Sequence, residues 1–123
     1  MAVRGVRGAT VSKKDDPENI LSATRKLLNT ILTENPGMVL EDIASVLFTA
    51  ADDLNSVYPA KAAREMGWNQ VPLICAREIP VPGGLSGCIR VLIHWNTNTP
   101  QSEIRHVYLG AAARLRPDLS GRL

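Results

Sequence analysis

The chain has 123 residues, 45% of them hydrophobic and 21% charged, which fits one small globular domain with a single core. Its net charge of +2, from 14 basic and 12 acidic side chains, is too balanced for a protein that binds nucleic acid by neutralising phosphates. Two Trp, two Tyr and one Phe do not make a base-stacking platform, and no apolar stretch is long enough to span a bilayer.

In chain order, residues 3–10 are expected to form a first strand, with Gly5 and Gly8 marking a bulge or a close backbone approach. Asp16 offers an N-cap, Pro17 an N1 residue and Glu18 an acidic first turn, so a helix starts there. Its apolar stripe runs through Ile20, Thr24, Leu27, Leu28, Ile31 and Leu32 and stops at Asn35-Pro36-Gly37. After a turn at 40–42, residues 43–50 read as a buried strand and 52–56 as a polar loop. Pro59 opens a short helix over 60–66, which Gly67 ends. A strand over 71–76 belongs at an edge, because Pro72 cannot donate to a ladder. Residues 80–84 form a rigid-then-flexible link into a strand at 88–95. One more short strand is expected at 105–109, and a tail extended around Pro117. The order β, α, β, short α, β, β, β defines an α/β (α+β) fold with a mixed β-sheet packed against helices.

The strand at 88–95 poses the functional question. Alternation puts Ile89, Val91, Ile93 and Trp95 on one face and Cys88, Arg90, Leu92 and His94 on the other. A guanidinium on that mixed face is only partly hydrated and must be paired, by an internal carboxylate or by an anionic ligand. Arginine far outnumbers lysine, which favours planar recognition of carboxylate or phosphate. Other chemistry is poorly represented. Two cysteines and two histidines form neither a disulfide framework nor a structural zinc site, so no metal is expected. Nothing brings Cys75 or Cys88 beside His94 or His106, and a buried cysteine behaves as a small hydrophobe. The run Pro82-Gly83-Gly84-Leu85-Ser86-Gly87 has neither the spacing nor the lysine of a phosphate loop. Taken alone, Glu78 is a solvated carboxylate at a strand end. The residues Met1-Ala2-Val3-Arg4-Gly5 lack the apolar core of a signal peptide, so a cytoplasmic location is expected.

Five strings in register add to this reading. They are Arg4-Gly5-Val6-Arg7-Gly8-Ala9-Thr10, Tyr58-Pro59-Ala60-Lys61-Ala62-Ala63-Arg64, and Gly83-Gly84 followed by Cys88-Ile89-Arg90-Val91. Pro100-Gln101 through Ile104-Arg105-His106-Val107-Tyr108-Leu109, and then Leu115-Arg116-Pro117-Asp118-Leu119, complete the set. Together they resemble the monofunctional chorismate mutases of the AroH class, almost end to end. The resemblance implies one chorismate mutase domain over 1–123, whose tail from about 115 can order on substrate binding. It also implies a homotrimer forming a pseudo-α/β-barrel with active sites between subunits, and no nucleic-acid or membrane partner. The implied reaction is the rearrangement of chorismate to prephenate on the route to phenylalanine and tyrosine. That step is an intramolecular pericyclic reaction needing no nucleophile, metal or cofactor.

Carried over by position, the resemblance implies that Arg90 faces the breaking ether bond and Arg7 binds the carboxylate of the enolpyruvyl arm, with Tyr108 donating to the same region. Glu78 and Cys75 are implied at the substrate hydroxyl. Strict alternation sets those two on opposite faces, so the strand must end or bulge between them. Tyr58, Ala60, Ile74 and Leu115 are implied as pocket walls, and Lys61, Arg64 and Arg116 as a positive field at the mouth. Two other classes use the same residues. A non-enzymatic trimeric module would bind a small carboxylate, and an enamine or imine hydrolase would recruit Arg90 and Glu78 to position water. Turnover of chorismate separates the first from a mutase, and a product of unchanged mass separates the second.

Overall fold

A computed structural model describes residues 1–120; of the tail expected at 115–123, residues 121–123 lie outside the described part. The elements are β1 (Ala2–Val11), α1 (Pro17–Glu34), β2 (Ile43–Ala50), α2 (Ala60–Glu65), β3 (Leu73–Arg77), β4 (Cys88–Thr97), β5 (Val107–Tyr108) and α3 (Pro117–Ser120). Among the described residues the strands form one mixed sheet in the order β3-β2-β4-β1-β5. β4 runs antiparallel to both β1 and β2, while β3 and β5 add in parallel at the two edges. β2 spans the expected residues, and β3 is the edge strand that Pro72 predicts, beginning one residue after it.

Helix α1 starts where capping chemistry places it. Asp16 is extended and its carboxylate accepts the Asn19 amide at 2.8 Å, with Pro17 at N1. At the other end the buried Asn35 accepts the Arg105 amide through Oδ1, and its Nδ2 donates to the carbonyls of Ile31 and Arg105. One side chain thus closes the helix and moors the segment leading to β5. The alternation expected over 88–95 holds in β4. Val6, Val46, Phe48, Val91, Ile93 and Trp95 pack with Leu27, Leu28 and Ile31 of α1 and Ala60 and Ala63 of α2 in the main core. The opposite sheet face carries Arg7, Leu47, Thr49, Arg90 and Leu92 and is not covered by these helices.

Two elements differ from expectation. β5 comprises Val107 and Tyr108 alone, because the preceding chain docks on β1 through side chains instead of backbone. The side-chain amide of Gln101 accepts the Gly5 amide through Oε1 and donates to the Gly5 carbonyl through Nε2, and His106 Nδ1 accepts the Arg7 amide at 3.0 Å. The tail is helical rather than extended: a 3-10 turn over Gly110–Leu115 leads to α3, in which Pro117 is the first residue. A fixed φ suits N1 of a helix as well as an extended chain.

The start of α1 also makes the fold acid-sensitive. The Ser56 hydroxyl and the Asn55 amide hold the Asp15 carboxyl below its ordinary range, and the Asn19 amide does the same for Asp16. A depressed carboxyl contributes stability above its unfolded pKa and loses it as pH falls. Thermal stability is therefore expected to be flat near neutrality and to decline below about pH 4. Asp16→Ala should lower the melting temperature at neutral pH and flatten that decline, as a melting series across pH would measure.

Candidate active site

The strand register assembles the site. Ala76, Thr49, Arg90, Ala9 and Tyr108 lie in one cross-strand row over all five strands, and Ile74, Leu47, Leu92 and Arg7 form the next. Arg90 is flanked by Thr49 and by Ala9, which is covered by Tyr108 and Ala112, so its guanidinium lies at the margin of that cover with its side chain 42% exposed. Arg7 enters from the adjacent row, and Tyr108, 6% exposed, closes the far side. These three, with Thr49 and Glu78, line a pocket of about 160 Å³.

Glu78 answers the question raised by Arg90. Its Oε2 lies 3.1 Å from Arg90 Nε and also accepts from the Thr49 hydroxyl. The ion pair is poorly directed, since Arg90 Nε is buried yet has no well-aligned acceptor. Arg7 and Arg90 against Glu78 leave this pocket with an excess of positive charge, suited to an anion. Both contacts use Oε2, so among the described residues Oε1 is left to accept from a ligand. Glu78 reaches this face because alternation continues past the end of β3 at Arg77, with the Glu78 amide donating to the Ala50 carbonyl at 3.0 Å.

A wider cleft of about 420 Å³ shares Glu78 and Arg90 and is walled by Val81, Leu85, Cys88 and Leu115. Asp52 and Asp53 make it the more acidic of the two, so the smaller pocket is the better seat for a carboxylate. Burial pushes the Cys88 thiol up, only partly offset by Arg90, so it lines the cleft as a neutral group. Among the described residues no His, Cys, Asp or Glu group is placed to hold a metal ion. No helix there is long and apolar enough to cross a membrane.

The expected site residues fall into two sets. Arg7, Glu78, Arg90, Tyr108 and Leu115 converge on these two cavities. Cys75 sits on the core face of the sheet, opposite Glu78, and lines a third cleft of about 490 Å³ with Tyr58, Pro59 and Arg77. Strand β3 does end between Cys75 and Glu78, but that break does not bring them together. Ile74 is 64% exposed at the sheet edge, and Lys61 and Arg64 are exposed on α2. Ala60 is 3% exposed and packs in the main core, so its side chain is a core contact and not a wall of either cleft. Arg116 makes a two-point pair with Asp118, at 3.0 and 2.8 Å, and lines neither cavity. Thr49 was not anticipated. Nothing in the apolar run 43–50 marks it, and only the register that places it beside Arg90 does. Asp53 was missed as well: it accepts the Gly87 amide and fixes the turn into β4.

A mixed five-stranded sheet with helices packed on one face, and Arg7 and Arg90 on the other, defines a small α+β protein suited to hold an anion by charge and shape. The family is a known one. Residues 3–119 match the chorismate mutase type I model, and the chain belongs to that family of isomerases. It is 55% identical over 117 residues to the chorismate mutase AroH of Thermus thermophilus, covering 95% of this chain and 96% of that protein. Against the chorismate mutase AroH of Bacillus subtilis (strain 168) it is 49% identical over 121 residues, covering 98% and 94%. The solved chorismate mutase from Clostridium thermocellum superimposes with a TM-score of 0.87 at 43% identity, covering 89% of this chain and 97% of that one.

Proposed function

We propose that this chain converts chorismate to prephenate as a single domain, in a cytoplasmic homotrimer whose active sites are shared between neighbouring subunits. The observation that carries the chemistry is the placing of Arg7 and Arg90 on adjacent rows of an open sheet face, opposed by Glu78. The reaction breaks one C–O bond and forms one C–C bond within one molecule. Catalysis then consists of holding the dianion folded and stabilising charge on the ether oxygen. Arg90 stabilises that oxygen, Arg7 and Tyr108 hold a carboxylate, and Glu78 accepts from the substrate hydroxyl.

The split of residues within one chain supports shared sites. Arg7 and Arg90 carry two positive charges and Glu78 returns one negative, so a dianion is not balanced by one chain's pocket. Lys61, Arg64, Tyr58, Ile74 and Cys75, none of which lines a cavity with Arg90 in its own chain, are assigned to the neighbour's site, and Arg116 to its mouth. Exposed Tyr58, Ile74, Ile79 and Val81 give such a contact its apolar area. Two free cysteines, Cys75 and Cys88, suit a reducing compartment.

Purified protein should consume chorismate and yield a product of identical mass. A well-folded sample without turnover would favour the carboxylate-binding module, and a product of altered mass the hydrolase. Shared sites are tested by mixing subunits after denaturation and refolding. Arg90→Ala chains mixed with Arg64→Ala chains should regain activity, because some sites receive both intact halves. Arg7→Ala with Arg90→Ala should not, since both residues line one pocket of one chain. The reverse pattern would reject this division of the site.

A further inference from the structure

We infer that Arg77 is a positioning residue, which clamps the end of β3 and so holds Glu78 against Arg90; this rests on Glu78 and Arg90 serving the reaction. Arg77 is exposed, and a long exposed arginine is ordinarily solvated and mobile. Here its guanidinium makes three hydrogen bonds to one loop. Nη1 donates to the Ala51 carbonyl at 2.6 Å and the Leu54 carbonyl at 2.8 Å, and Nη2 to Asn55 Oδ1 at 2.7 Å.

The next residue makes the clamp relevant to the site. The Glu78 amide donates to the Ala50 carbonyl, so successive carbonyls at 50 and 51 receive Glu78 and Arg77. Alternation sends the two side chains to opposite faces of the sheet. Arg77 therefore grips the loop from one face while Glu78 presents its carboxylate to Arg90 on the other. The loop is a firm anchor in its own right. Asp15 accepts the amides of Asn55 and Ser56, and Asp53 accepts the Gly87 amide. Glu78 lies just past the end of β3 and is held to β2 by its amide bond to Ala50, so without Arg77 that single bond anchors the residue that must be placed accurately.

The test is a double-mutant cycle on turnover of chorismate, with melting temperatures for every variant. Arg77→Ala should lower kcat by roughly tenfold, less than the roughly hundredfold that a misplacement of about 1 Å can cost. KM should stay within about threefold of wild type. Arg77→Lys keeps the charge and loses the planar fork, and should fall between the two. In a Glu78→Ala background, Arg77→Ala should cost almost nothing further, because the group it positions is gone. A lowered melting temperature with unchanged kcat would reduce Arg77 to a structural brace and overturn the inference. An undiminished tenfold loss in the Glu78→Ala background would overturn it too, by showing that Arg77 acts elsewhere. If Glu78→Ala alone turns over at the wild-type rate, the role given to Glu78 fails first and the inference fails with it.

Discussion

Arg90→Ala should lower kcat/KM for chorismate by about 10³-fold while the protein still folds, the usual cost of deleting a preorganised group at a developing negative charge. Folding is spared because the strand is held by its other face, where Ile89, Val91, Ile93 and Trp95 are buried. Arg90 itself stands on the open face, its side chain 42% exposed, between the small residues Thr49 and Ala9. Its loss leaves Glu78 with the Thr49 hydroxyl as a partner, so no buried carboxylate is stranded. The loss should fall on kcat at least as heavily as on kcat/KM, because the charge on the ether oxygen exists only as the bond breaks. Arg90→Lys should resemble the alanine variant more than the wild type, since an ammonium on a flexible stem cannot reproduce the planar fork. Steady-state kinetics on both variants, with melting curves as a control, decide the matter. An Arg90→Ala enzyme within about threefold of wild type would remove Arg90 from the centre of the mechanism.

Gly87→Ala should be the costly change for stability, at about 3 kcal/mol. Gly87 has φ +66, and a Cβ added there would lie 2.5 Å from the Ser12 carbonyl oxygen. The clash cannot relax easily, because the same glycine is tied on both sides. Its carbonyl accepts the Ser12 amide at 2.8 Å, and its amide donates to both oxygens of Asp53 at 3.1 and 3.0 Å. Moving Gly87 away from Ser12 breaks these bonds at the start of the strand that carries Arg90. Gly83→Ala is the control: φ is +81, but a Cβ there meets nothing within 4 Å, so only the backbone cost remains. That cost is about 1 kcal/mol. Thermal melts at one protein concentration should separate the two by several degrees. Equal melting temperatures would mean that Ser12 yields without penalty.

The parts of this fold that were legible in the sequence are those governed by near neighbours. Asp16-Pro17-Glu18 states a helix start through a cap and a fixed φ, and the helix begins there. The alternation from Ile89 to Trp95 states which face of β4 is buried, and those four residues are buried. The family was legible as well, because its five strings keep their order along the chain. What escaped depends on partners distant in sequence. Thr49 and Glu78 are 29 positions apart, yet meet through a hydroxyl-carboxylate bond set by the β2–β3 register. His106 lies 99 positions from Arg7 and takes the amide that a longer β5 would have paired. Pro117 illustrates a local ambiguity, being compatible with an extended tail and with the first turn of α3.

The docking of Gln101 and His106 has a consequence for solubility. An uncovered strand edge is a template on which another chain can polymerise, and β1 would offer one along most of its length beyond the two residues that β5 pairs. Gln101 occupies both backbone groups of Gly5 and His106 occupies the amide of Arg7, so the template is blunted by two side chains. At the opposite margin, β3 is five residues long and Pro72 stands immediately before it, which keeps that border short. The sheet is thereby protected against runaway strand addition at both ends, and its open face stays free for specific association.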